Sequence, residues 1–141
     1  MSDENWYFPK NTDHLISPAL LFYPDRIRHN IEQMIRISGD PGRLWTHVKT
    51  HKNAEIIGMQ IGAGIDKFKC STLSEAELLG RCGAKEALLA MQPTNVHLET
   101  YLKLAKSYPG TGFSTLVDNE DTLTMIGEQA RATGRKIRLW L

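Results

Sequence analysis

His47, Lys49 and His51 occupy every second position of the stretch Trp45-Thr46-His47-Val48-Lys49-Thr50-His51-Lys52. The apolar run Leu44 to Val48 reads as a β-strand, and a strand alternates its side chains between two faces. Trp45, His47, Lys49 and His51 would then point one way, and Leu44, Thr46, Val48 and Thr50 the other. Lysine and histidine are costly to bury unless they are paired or used. A lysine flanked by two histidines on one face therefore marks Lys49 as the candidate catalytic group of an enzyme. His47 and His51 become candidate acid/base or positioning groups.

Plainer readings compete. Lys49 and Lys52 can be solvated lysines on a strand-end loop. The cluster can also be a small basic patch for phosphate or nucleic acid, or the two histidines part of a metal site. The chain carries 17 Lys+Arg against 16 Asp+Glu, a formal charge of +1, and no long basic run, which argues against nucleic acid. No cysteine or carboxylate stands at ligand spacing beside His47 and His51, so no metal site is expected within these residues.

The elements that must position Lys49 follow a rhythm. Met1 to Ile16 reads as an irregular arm. Pro18 opens a short strand, Ala19 to Tyr23, and Pro24 suits the first turn of a helix. That helix carries Ile27, Ile31, Met34 and Ile35 as a 3.6-residue stripe and ends at Ser38-Gly39-Asp40-Pro41-Gly42. Strands are then expected at Leu44–Lys49, Lys67–Cys70, Glu86–Met91, Phe113–Val117 and Lys136–Leu141. Between them lie helices over Asn53–Ile61, from Ser74 through Cys82, over Asn95–Tyr108, and from Asp118 to Gly134. Ser74-Glu75-Ala76-Glu77 reads as the capping box of the second of these, and Asp118 as the cap of the last.

Strands separated by single helices, at intervals of roughly 20–25 residues, imply an α/β fold with parallel strands and right-handed crossovers. A doubly wound sheet usually announces a nucleotide with a glycine-rich first turn, and neither GxGxxG nor GxxxxGK[ST] occurs. The (β/α)8 barrel remains, with catalytic residues at strand C-terminal ends. Lys49, Ser71, Gln92 and Asp118 all fall at such ends.

Composition sets the outer bounds. The 141 residues are 41% hydrophobic and 23% charged, a globular and not a disordered balance. No apolar run approaches the roughly 20 residues that span a bilayer. The N-terminus lacks the form of a signal peptide. Cys70 and Cys82 make no disulfide framework, so a cytoplasmic location is expected.

His47-Val48-Lys49-Thr50-His51-Lys52 resembles the HxKTHK signature of the D-threonine aldolase and D-serine dehydratase family. Those enzymes use pyridoxal 5'-phosphate and have an alanine-racemase-type N-terminal barrel. Ser17-Pro18-Ala19-Leu20, Lys67-Phe68-Lys69-Cys70-Ser71 followed by Glu75-Ala76-Glu77, and Leu88-Leu89-Ala90-Met91-Gln92-Pro93 agree with the family's layout. The family often has Arg-Pro where this chain has Trp45-Thr46.

The resemblance implies that Lys49, not Lys52, forms the Schiff base with the cofactor. It makes His47, His51 and Gln92 candidate cofactor contacts. An amine of this kind must be neutral to react, which burial and nearby cations favour. The implied activity is a lyase acting on D-β-hydroxy amino acids, an aldolase or dehydratase. A racemase of the same fold, a non-catalytic cofactor-binding protein and an inert product are the alternatives.

After Ala19–Tyr23 about five barrel strands fit into the chain, whereas a complete barrel needs roughly 200 residues or more. The expectation is a partial (β/α)8 TIM barrel over residues 17–141 behind an arm over residues 1–16, with a C-terminal part beyond. That part would supply most of the phosphate site, the ligands of a divalent metal, and the contacts of a homodimer. On its own the fragment is expected to be marginally stable, aggregation-prone and inactive.

Overall fold

The computed structural model describes residues 6–134 and 136–141, so the first five residues of the arm lie outside it. Five parallel strands form one sheet in sequential order: β1 (Thr46–His47), β2 (Lys67–Cys70), β3 (Glu86–Leu89), β4 (Gly112–Leu116) and β5 (Arg138–Trp140). The helices α1 (Pro24–Ser38), α2 (Ala54–Gly62), α3 (Leu73–Arg81), α4 (Val96–Ser107) and α5 (Glu120–Thr133) alternate with them. Every neighbouring pair is parallel, with Phe68↔Ala87↔Phe113 in one continuous register line. A doubly wound sheet reverses its strand order at a switch point. The unbroken sequence of neighbours here is that of a barrel wall, and the wall is partial.

The two faces of the sheet divide the residues cleanly. Phe68, Cys70, Ala87, Leu89 and Phe113 join Ile57, Leu79, Leu98, Tyr101 and Ile126 from the helices in the hydrophobic core. A fully buried side chain of this size contributes about 1.5–3 kcal/mol, so this outer layer carries the fold. The alternate residues face the concave side. There Lys67 Nζ donates to Gly42 O at 2.6 Å. Arg138 reaches past β4 to Glu86 at 2.7 Å. Gly112 lies between them on β4, and a Cβ there would come within 3.4 Å of the Arg138 guanidinium. Trp45, just before β1, meets Trp140 of β5 edge-on with ring centroids 5.6 Å apart. In a flat sheet four spacings of about 4.8 Å would hold those strands roughly 19 Å apart, so the sheet is strongly rolled.

Several expectations need correction. Ala19–Tyr23 is no strand: it pairs with nothing among the described residues, and Leu20, Leu21 and Phe22 are exposed. An apolar run without a ladder partner has no means of becoming a strand. The expected Leu44–Lys49 strand shrinks to Thr46–His47, because the backbone leaves the ladder at Val48. The Val48 carbonyl accepts from both His51 N (3.2 Å) and Lys52 N (2.8 Å), closing a 3-10 turn over Val48–Thr50. The capping box begins at Thr72, not Ser74: Thr72 Oγ1 accepts from Glu75 N at 3.2 Å. The cap of α5 is Asn119, not Asp118; its side chain accepts from Thr122 N at 2.9 Å. In both cases a good cap lies one or two residues from the true one, and the boundary is set by where the preceding strand releases the chain.

Candidate active site

Lys49 lies on the turn that follows β1, at the C-terminal mouth of the sheet. Val48 drives this placement. Its side chain is fully buried in the core, so the turn is anchored there and Lys49, next along it, is exposed. Strand alternation therefore stops at His47. Trp45 and His47 share the concave face, but Lys49 and His51 owe their positions to the turn.

His47 is held at both ring nitrogens. Lys49 N–H donates to Nδ1 at 3.1 Å, and Nε2 lies 3.2 Å from Ser71 Oγ, at the end of the neighbouring strand. A backbone N–H can only donate, so in the neutral ring Nε2 carries the hydrogen and Ser71 Oγ accepts it. Burial lowers the His47 pKa, and the charges of Lys49 and Lys69 lower it further against the opposing pull of Glu75. The neutral ring that the hydrogen bonds require is thus the one the surroundings favour. Lys69 pairs with His47 in the β1–β2 register, which explains its influence.

His51 is oriented differently. Its Nδ1 accepts from Asn53 N at 3.2 Å, while the Asn53 side chain caps α2 by accepting from Ile56 N at 2.9 Å. Its Nε2 is buried with no hydrogen-bond partner among the described residues. Burial lowers the His51 pKa as well. Gln92 stands apart from the lysine turn. Its Oε1 accepts from Asp118 N at 2.9 Å and ties the loop after β3 to the loop after β4. Gln92 also lines a cavity of about 360 Å³ with Ser71, Pro93 and His97, so Ser71 faces His47 on one side and this cavity on the other.

Lys52 reads from the sequence as a surface or anion-contacting lysine; it is exposed, and the anion it contacts is the Glu75 carboxylate, at 3.3 Å. Glu75 is 3% exposed, and its other carboxylate oxygen accepts from Ser71 N at 2.7 Å. Burial alone would raise its pKa, but the Ser71 N–H, Lys52 and His47 outweigh burial and hold it below the ordinary carboxylate value. Ser71 is flagged by the sequence only through its place at a strand C-terminal end. Glu75 and Lys69 are not singled out as site residues, and only the period-two match of Lys69 to the concave face could have flagged either. Among the described residues no group of three His, Cys, Asp or Glu side chains is gathered to hold a metal. No described helix is long and apolar enough to cross a membrane.

Parallel strands in sequential order and a rolled sheet define a barrel-type domain, with Lys49 at the mouth of its first strand. Residues 23–141 match the family model for the alanine racemase N-terminal domain, and the chain belongs to that family. D-threo-3-hydroxyaspartate dehydratase of Delftia sp. (strain HT23) is 30% identical over 128 residues, 90% of this chain and 33% of that protein. The solved structure of D-threonine aldolase from Filomicrobium marinum superposes with a TM-score of 0.77 at 25% identity, covering 88% of this chain and 33% of that one. A histidine-to-alanine variant of D-threo-3-hydroxyaspartate dehydratase gives a TM-score of 0.80 at 30% identity, covering 90% and 32%. The chain spans about a third of the length of these relatives.

Proposed function

We propose that this chain is the lysine-bearing part of a pyridoxal 5'-phosphate-dependent lyase acting on D-β-hydroxy amino acids. A dehydratase and an aldolase among its relatives support the lyase class. The observation that carries the reading is Lys49, an exposed primary amine at a strand mouth, its backbone N–H held by a neutral imidazole.

The residues present fit the cofactor. Lys49 would hold it through its amine, with Lys69 and Lys52 nearby to favour an anionic group. His51 offers a buried Nε2 hydrogen that no described residue accepts. Gln92, in the cavity that Ser71 also lines, is a further contact. When bound, pyridoxal phosphate supplies an electron sink for the substrate's α-carbon. The chain's own residues do the rest. Lys49 can hold and move a proton at Nζ, and His47 Nδ1 fixes the Lys49 backbone.

Incubation with pyridoxal phosphate, borohydride reduction and peptide mapping test the reading. A pyridoxyl group on Lys49 is expected. Label on Lys52, or none, would overturn it. The Lys49→Ala chain should lose the label entirely.

A further inference from the structure

Lys49 is gripped from both sides, and both grips lead to one buried carboxylate. On the N-terminal side, Glu75 accepts from Ser71 N at 2.7 Å, Ser71 Oγ meets His47 Nε2 at 3.2 Å, and His47 Nδ1 accepts from Lys49 N at 3.1 Å. On the C-terminal side, Glu75 contacts Lys52 at 3.3 Å. Lys52 has a left-handed backbone, φ 46°, unfavourable for a residue with a long side chain. Its N–H donates to Val48 O at 2.8 Å, which closes the turn around Lys49.

Glu75 is the N3 residue of α3, whose cap is Thr72. In an ordinary capping box its carboxylate would reach back to the cap residue's own N–H. Here it goes one residue further, to Ser71, and leaves its second oxygen to Lys52. That oxygen is buried and has no directed hydrogen bond among the described residues, so it contributes charge to Lys52 and not a fixed bond. A buried carboxylate is costly unless such partners offset it. Helix capping alone needs neither Lys52 nor Ser71 Oγ.

We propose that Glu75, with Ser71 and Lys52, is a clasp that positions the Lys49 turn, one arm acting through His47 and the other through the strained backbone of Lys52. This deepens the proposed function and rests on it for its purpose, since the clasp would fix the amine that holds the cofactor. None of the three touches the reacting amine; they are positioning residues. The geometry demands that the arms be coupled, because both end on the same carboxylate.

The test uses the full chain and two readouts. One is hydrogen exchange of the Lys49 amide, together with the imidazole 15N signals of His47. The other is pyridoxyl labelling of Lys49, as the labelled fraction of the chain. Glu75→Gln keeps an acceptor for Ser71 N–H but loses the charge facing Lys52. Lys52→Met alters only an exposed side chain, so it tests the clasp even if the Glu75 variant fails to fold. Each should speed Lys49 amide exchange about tenfold, the size of one lost hydrogen bond. Amides of α4 and α5 should exchange as before. The double variant should be no worse than either single one, since both break the same link.

Ser71→Ala removes the acceptor of the His47 Nε2–H, so it should shift the His47 15N signals and speed Lys49 amide exchange, and Ser71→Thr should restore both. Unchanged Lys49 exchange and His47 signals in Lys52→Met and Ser71→Ala would overturn the clasp, whatever the labelling shows. Absence of a pyridoxyl group on Lys49 in the unaltered chain would instead overturn the proposed function, and with it the clasp's purpose.

Discussion

His47 gives the residue scale its sharpest expectation. Its folded pKa lies below the ordinary 6.5, through burial first and then Lys49 and Lys69. The unfolded chain therefore binds more protons than the folded one between the folded pKa and 6.5, and stability rises with pH across that window. Acidification below 6.5 removes that stability until the folded pKa is passed. Protonation also puts a hydrogen on Nδ1, where Lys49 N–H now donates, so acid should release the turn. Lys69→Met removes one of the repelling charges and should move the His47 pKa up toward 6.5. Titration of the His47 ring by NMR checks this; a midpoint unmoved in Lys69→Met would show that Lys69 does not act on the ring.

At this scale the sequence nominated Lys49, although the strand alternation behind the nomination ends at His47. Lysine and histidine spacing pointed to Lys49. What was not legible is why Lys49 is held. Ser71 is 24 residues from His47 in the chain, and their contact depends on the register of two parallel strands, which no local pattern encodes. Glu75 was legible only as an inner residue of the expected Ser74–Glu77 capping box and as part of the family's layout, since its partners Ser71 and Lys52 come from outside the helix.

Among the elements, helix glycines separate what propensity gives from what packing forbids. Gly80 in α3 sits under Tyr108, and a Cβ there would come within 2.6 Å of the Tyr108 ring. Gly127 in α5 faces nothing within 4 Å. Alanine at either position gains roughly 0.5–1 kcal/mol of backbone entropy. At Gly80 the overpacking costs about 1–3 kcal/mol and wins. Gly127→Ala should thus raise the urea midpoint and Gly80→Ala lower it; a rise in both would mean that the Tyr108 ring yields freely.

The helices and β2 to β5 were readable because glycines and the change from period 3.6 to period two punctuate them. β1 was overextended because Val48 continues an apolar run in sequence while its carbonyl closes a turn in space. Ala19–Tyr23 has the composition of a strand but no partner. Propensity can nominate a strand; only a neighbour makes one.

For the whole molecule, uniform parallel pairing follows from the βα alternation, and the barrel class was legible from that together with the missing glycine-rich nucleotide turn. The roll of the sheet was not, because curvature resides in contacts across the concave side: Arg138 to Glu86 over the bare Gly112, and Trp45 against Trp140. The tryptophan pair has a use beyond holding shape. Two indoles 5.6 Å apart at an interplanar angle of 81° are close enough for their excited states to mix. The chain should therefore show a pair of far-ultraviolet dichroism bands of opposite sign, abolished by Trp140→Phe. Bands that survive the substitution would mean that the indoles are not in contact in solution. If they vanish as expected, the bending of the protein wall can be followed with light, during refolding or as the cofactor is added, with no label other than the one the chain already carries.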